Sequence, residues 1–271
     1  MIDPPPVPAG KWADLRTRLL SAIAMVVVGA LEVWLGGTAF AALVIVLTAV
    51  MIWELAAMTA LARRTTRSAK AVASAAGAAL LLSLALRSDI ASLFLMVPTL
   101  ILILTPRRDR RLAGAYALAI MLSGYGLVEL RQETGTSAIL WLILVVVASD
   151  VLGYFVGRTV GGPKFWERIS PKKTWSGTVA GWAGAAMVGF GFVVFGSASW
   201  LLVPLSALLA FAGQLGDIAE SWIKRRAGVK DASSLIPGHG GVLDRFDALI
   251  GAIVAVTLLG LFLPVASLLG N

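Results

Sequence analysis

Apolar segments about the length of a bilayer crossing recur along almost the whole chain, and this limits the fold more than any other feature. A helix needs about 20 apolar residues to cross the hydrocarbon layer. Nine segments approach or meet that length, near 19–35, 39–60, 71–86, 90–104, 112–130, 137–157, 176–195, 200–223 and 248–266, the third and fourth being short. Composition agrees: the 271 residues are 58% hydrophobic and 14% charged, where a soluble domain carries about 25% charged residues. In lipid each segment must satisfy its own backbone polar groups, and no strand-like alternation competes with helix here. The expected fold is therefore all-α, a polytopic membrane helix bundle of about nine transmembrane helices. Many segments are rich in Gly and Ala, such as Gly181, Gly184, Gly189 and Gly191, which lets helices approach closely. There is no inverted repeat of the transporter kind.

The cations order this map. All but two of the 23 Lys and Arg fall on the N-terminal tail and on alternate connections, including Arg63, Arg64, Arg67 and Lys70, then Arg107, Arg108, Arg110 and Arg111; the opposite side holds Arg87 and Arg131. By the positive-inside rule the N-terminus is cytoplasmic and the C-terminus outside. The segment after Asp3, Pro4, Pro5 and Pro6 has no small-residue cleavage site, so it reads as a retained span. The net charge of +8 serves topology and anionic lipid or phosphate ligands rather than nucleic acid. With no cysteine and a single histidine, His239, thiolate chemistry and a multi-histidine zinc site are excluded.

Two connections are long enough to build a site, 158–175 and 224–247, both on the cytoplasmic side. Both fall in a C-terminal catalytic membrane region (137–271), which follows an N-terminal membrane region of about five spans (1–136). Asp217, Glu220, Ser221 and Lys224 are spaced to share one helix face, and Asp244 and Asp247 share another. Acids at membrane depth are costly and usually functional. Three carboxylates converging from two spans would suit a hard cation such as Mg²⁺, with substrate phosphates completing its shell. Lys224, Arg225, Arg226 and Lys230 could neutralise phosphate charge, and the turn Pro237–Gly241 could offer main-chain N–H groups to a phosphate. Upstream, Ser170, Lys172, Lys173 and Thr174 precede a helix start, a seat for phosphate. Asp150, Gly153, Tyr154 and Gly157 form a further helix face. Glu32, Glu54 and Glu129 have no evident partner group nearby in sequence and read as interfacial or structural; Arg107–Arg111 read as topogenic.

Together these residues resemble the signature of the phosphatidate cytidylyltransferase family, the CDP-diacylglycerol synthases. The pattern is carried by Ser221, Lys224, Arg225, Lys230, Asp231, Ser233, Pro237, His239, Gly240, Gly241, Asp244, Arg245 and Asp247, with Gly213, Gln214, Gly216 and Asp217 before it and Asp150 and Ser170–Thr174 further upstream. It covers the C-terminal half; the first 140 residues match in character only. Ser176 stands where members often carry Glu or Gln. The resemblance implies an integral enzyme of a bacterial-type inner or plasma membrane that joins phosphatidic acid to CTP. It implies Mg²⁺ held by Asp217, Asp244 and Asp247, a second cation such as K⁺, and a homodimer. Lys172, Lys173, Ser170, Thr174, Ser221, Arg225, Lys230, Asp231, Gly240, Gly241, Arg245 and Asp150 are then expected to bind substrate, with Lys224 and His239 in the catalytic set. The alternatives are a CTP-dependent lipid or polyprenol kinase, an ether-lipid cytidylyltransferase and, more remotely, a transporter.

Overall fold

The computed structural model describes residues 11–61, 66–167 and 169–270. The chain runs α1 (Lys11–Leu35), α2 (Gly37–Met58), α3 (Thr66–Leu86), a 3₁₀ segment (Asp89–Leu95), α4 (Met96–Leu104), α5 (Arg110–Thr134), α6 (Thr136–Thr159), β1 (Lys164–Trp166), β2 (Ser170–Thr174), α7 (Trp175–Gly196), α8 (Leu202–Ala227), α9 (Leu243–Gly260) and α10 (Val265–Leu268). It is a helical membrane protein: α2, α3, α5, α6, α7 and α8 are each long and apolar enough to cross a bilayer, and Leu19–Leu35 and Ile90–Leu104 are shorter apolar helices. Residues 1–10, with Asp3 and Pro4–Pro6, and also Arg63, Arg64 and Arg168, lie outside the described residues.

Two segments differ from expectation. The fourth apolar stretch is not one α-helix: Pro98 lacks the N–H that would bond the Phe94 carbonyl, and the chain enters as a 3₁₀ segment capped by the Ser88 hydroxyl, which accepts from Ala91 N at 3.2 Å. The connection 158–175 is not plain loop. It folds into an antiparallel hairpin pairing Lys164 with Thr174 and Trp166 with Ser170, braced by an edge-on contact of Phe165 and Trp175 with ring centroids 4.7 Å apart.

Contacts between helix ends fall into two groups. At one end the Arg108 N–H donates to the Thr59 carbonyl at 2.9 Å, Arg226 pairs with Asp109, and Ser21 donates to the Pro237 carbonyl at 3.1 Å. At the other, Arg87 donates to Gln132 at 2.8 Å, Arg131 to the Val33 carbonyl at 3.3 Å, and Ser199 N to the Leu268 carbonyl at 2.8 Å.

Lipid tails are as apolar as leucine, so helices in a bilayer associate by close packing rather than by escape from water. One buried cluster centres on Trp141, whose Nε1 donates to Ser206 Oγ at 2.9 Å. The other joins α2–α5 to the starts of α8's last turns and α9 through Leu55, Ile120, Ile223 and Leu243. Both draw on residues from either side of position 136, so the two regions fold as one body.

The closest crossings lie beside the acids. A Cβ on Gly216 would stand 3.0 Å from Gly251 Cα and closer still to the Asp247 carbonyl oxygen. A Cβ on Gly177 would stand 3.1 Å from Gly157 Cα. Glycine at these points lets α8 meet α9 and α7 meet α6 backbone to backbone.

Candidate active site

Because Gly216 lies against the Asp247 backbone, its neighbour Asp217 is brought to the same cavity as Asp247. That cavity, about 790 Å³, lies between α6, the hairpin, α7, α8 and α9, within the roughly 300–1,000 Å³ usual for ligand pockets. Asp150, Asp217, Asp244 and Asp247 line it. So do Lys172, Lys173 and Thr174, as well as Gly153, Tyr154 and Gly157. The helix-period face read from Asp150 is therefore real, and the hairpin carries its lysines to the acids. Lys173 Nζ stands 2.5 Å from Asp217 Oδ2, and Ser221 donates to Asp217 Oδ1 at 3.3 Å. Thr174 caps α7, accepting from Gly177 N at 3.3 Å.

Asp244 is engaged differently from Asp217. Its Oδ1 takes Lys224 Nζ at 2.6 Å, and its Oδ2 accepts from Ala232 N at 2.9 Å and Gly241 N at 2.7 Å. Lys224 also bonds Glu220, whose side chain is fully buried. The lysine thus bridges a cavity-lining carboxylate and a fully buried one instead of facing phosphate. A buried pair of acids sharing one lysine keeps the loop and two helices in fixed relation, since removing either partner would strand a charge.

Other expected residues are placed elsewhere. The Gly240 N–H is spent on the Ile236 carbonyl at 3.1 Å and the Gly241 N–H on Asp244, so the turn offers neither to a phosphate. Gly240, at φ 87, holds a left-handed conformation that glycine adopts freely. His239 Nδ1 pairs with Ser21 Oγ at 2.9 Å and does not line the cavity. Arg225 donates to the Val229 carbonyl at 3.3 Å, and Arg225, Lys230, Asp231 and Arg245 are exposed away from the cavity. Lys224 bonds Glu220 and Asp244, Arg225 the Val229 carbonyl and Arg226 Asp109, so the three do not converge on one ligand. Ser170 pairs with Trp166 in the hairpin and Ser221 reaches the cavity only through Asp217. Ser176 donates to the Gly161 carbonyl and lies 3.1 Å from Thr174 Oγ1, pinning the hairpin to α7.

The cavity also holds residues that sequence reasoning did not single out as ligands: Arg158 and Lys164, counted only as topogenic, and Ser149, Thr178 and Gln214. Gln214 is fixed by Trp182 Nε1 at 2.9 Å and by the Thr178 carbonyl at 3.3 Å. Glu54 has the structural role expected of it but is not solitary. It is fully buried; Oε1 accepts from Ser233 Oγ at 2.6 Å and Val242 N at 2.9 Å, and Oε2 from Leu243 N at 2.7 Å. A carboxylate on α2 thereby caps α9, the helix that carries Asp244 and Asp247. Anions are favoured at that helix end.

Among the described residues no three Asp, Glu or His side chains form a ready-made metal cage. Mg²⁺ characteristically takes one or two carboxylates and completes its shell with water and substrate phosphate. Asp217 and Asp247, with hydroxyl and amide oxygens around them, fit that requirement; Asp244 is already satisfied by Lys224 and two N–H groups.

A polytopic helical membrane protein with an acid-lined, lysine-bearing cavity at one end of its helices is built to hold phosphate-rich substrates at a bilayer surface. The chain belongs to the cytidylyltransferase family, whose profile matches residues 16–263, and it is a nucleotidyltransferase. It is 33% identical over 255 residues to the phosphatidate cytidylyltransferase of Brucella abortus, covering 92% of this chain and 94% of that one. It is 41% identical over 172 residues to that of Staphylococcus saprophyticus, covering 61% and 65%.

Proposed function

We propose that this chain transfers the cytidylyl group of CTP to phosphatidic acid, releasing pyrophosphate and forming CDP-diacylglycerol for phospholipid synthesis. The observation that carries this reading is the union of Asp217, Asp247 and Asp150 with Lys172 and Lys173 in one cavity, in a chain whose near full-length relatives bear that enzyme's name.

An oxygen of the phosphatidate phosphate attacks the α-phosphorus of CTP, and the bond from that phosphorus to the bridging oxygen of pyrophosphate breaks. The nucleophile is already anionic and needs no strong base, so positioning and charge compensation supply the rate. Lys172, Lys173, Lys164 and Arg158 gather the phosphates in the cavity. Thr174 and the start of α7 seat one of them. Asp217 and Asp247 would hold Mg²⁺, which when bound offsets the charge of the triphosphate. Asp244, Lys224 and Glu220 fix the geometry behind them. Tyr154, which lines the cavity and is itself exposed, and its ring partner Phe155 offer an apolar wall along which the lipid enters.

The nine helical segments are read as nine crossings, with the N-terminus and cavity cytoplasmic and the C-terminus outside, in a plasma or inner membrane. The placement of Arg87 and Arg131 at the end opposite to Arg108 and Arg226 supports this, as does the cytoplasmic location of CTP. A homodimer and a second cation such as K⁺ rest on the family resemblance.

The test is incubation of purified protein with phosphatidic acid, Mg²⁺ and CTP labelled at the α- or γ-phosphorus. The reading expects the α-label in a liponucleotide; γ-label in the lipid would instead make the chain a kinase. Asp217→Ala should abolish incorporation while the protein remains folded, and undiminished turnover in that variant would defeat the assignment.

A further inference from the structure

Away from the cavity, at the same end of the helices, a second concavity of about 480 Å³ is lined by Arg107, Asp109, Arg110, Arg111, Trp222 and Arg226, with Leu112 at its edge. Four guanidinium groups there face one carboxylate. Topology requires only positive charge on the correct side; this site has features that charge counting does not explain. Every cation in it is arginine, whose planar fork suits phosphate oxygens better than an ammonium. Two of the groups are held in place. Arg226 makes a two-pronged pair with Asp109 at 2.6 and 2.7 Å and stacks its guanidinium 5.5 Å from the Trp222 ring. Arg107 is buried and anchored to the Ala56 carbonyl and to Thr105 Oγ1.

The remaining two are placed against local electrostatics. Arg110 and Arg111 occupy the first turn of α5, which has no acidic residue, where the helix dipole is already positive and cations are disfavoured. The N-cap residue, Asp109, does not offset this: its carboxylate makes no capping bond and is turned to Arg226, whose guanidinium holds it below the usual carboxylate range. Asp109 also sits at φ 47, a left-handed conformation uncommon outside glycine. The turn thus gathers excess positive charge around a concavity, and an anion bound there would relieve it.

We propose that this concavity is a binding seat for the phosphate of an anionic phospholipid headgroup, separate from the reaction cavity. The chemistry it reads is a phosphate anion. The lipid source is favoured over free phosphate because Trp222 and Leu112 give the seat an apolar edge at the ends of membrane helices, the position at which indole and acyl chain meet headgroups. Trp222 and Arg226 are one turn apart on α8, the helix that presents Asp217 to the reaction cavity on another face. Headgroup occupancy would compete with Asp109 for Arg226 and so act on the end of that helix.

The experiment uses the full-length protein, delipidated in detergent and titrated with phosphatidylglycerol or phosphatidylcholine, with bound lipid measured by native mass spectrometry. Saturable retention of phosphatidylglycerol over phosphatidylcholine is expected. It should weaken by about tenfold or more in the Arg110→Ala/Arg111→Ala variant, as expected for two headgroup contacts, and stay unchanged in an Arg67→Ala/Lys70→Ala control that loses equal charge elsewhere. Arg226→Lys, which keeps the charge and loses the fork, should also weaken it and guards against misfolding of the double variant. Equal loss in the control, or no preference for the anionic lipid, would overturn the seat. Displacement of the lipid by millimolar inorganic phosphate would overturn its assignment to a lipid.

Discussion

Replacing Glu54 by alanine removes the acceptors of three hydrogen bonds at a fully buried point. The Ser233 hydroxyl can turn to another partner, but the N–H groups of Val242 and Leu243 are fixed in the start of α9 and are left without acceptors. A stranded buried donor costs about 1–3 kcal/mol, so the pair costs about 2–6 kcal/mol, before any loss from the helix end that the charge favours. At about 2–4 °C per kcal/mol for a protein of this size, detergent-solubilised Glu54→Ala should melt on the order of 10 °C below wild type. The same start of α9 carries Asp244 and Asp247, and a shift of about 1 Å in reacting groups can lower turnover by about 100-fold. Glu54→Gln keeps a carbonyl for Val242 and Ser233 but presents an amide donor to Leu243, stranding one N–H instead of two; it should fall between wild type and alanine in both measurements. The assays are thermal unfolding followed by intrinsic fluorescence, and incorporation of labelled CTP into lipid in proteoliposomes. An alanine variant that melts and turns over like wild type would refute the reasoning, because the clasp would then hold nothing.

Other consequences follow from the site. Gly216→Ala puts a methyl group against Gly251 and the Asp247 carbonyl, and forcing α8 from α9 should cost about 1–3 kcal/mol and separate Asp217 from Asp247; melting temperature and CTP incorporation report the two effects. Lys173→Ala leaves Asp217 without its cation and the phosphates without a donor, and should lower kcat/KM for CTP by about 10²–10³-fold in steady-state assays. Removal of divalent cations with EDTA should abolish turnover and Mg²⁺ should restore it. The melting temperature should move little, because Lys173 pairs with Asp217 without a metal.

What was legible in the sequence follows the range of the interactions. Bilayer crossing depends on local apolarity, so the helical membrane architecture and the six helices long and apolar enough to span could be read directly. The Asp150 face was readable because a helix repeats every 3.6 residues, and the meeting of Asp217 with Asp247 because both stand where a span meets the same long connection. The hairpin was not: Ser170–Thr174 contains proline and two lysines, and extends only because Lys164–Trp166 pairs with it. The main-chain donors of Gly240 and Gly241 looked free because their acceptors, the Ile236 carbonyl and Asp244, are assigned only once the loop closes. Lys224 suggested a phosphate ligand because it neighbours other cations in sequence, whereas in space its neighbours are Glu220 and Asp244. Glu54 appeared solitary because its partners lie 179 to 189 residues further on.

That separation has a consequence for how the protein comes to be made. At about 5–20 residues per second, a ribosome needs roughly 10–35 s to pass from Glu54 to Ser233. During this interval the acid has none of its eventual donors, and α2 cannot settle to its final depth without desolvating it. The N-terminal helices therefore enter the membrane before they have a finished interior, and the last loop to emerge completes them.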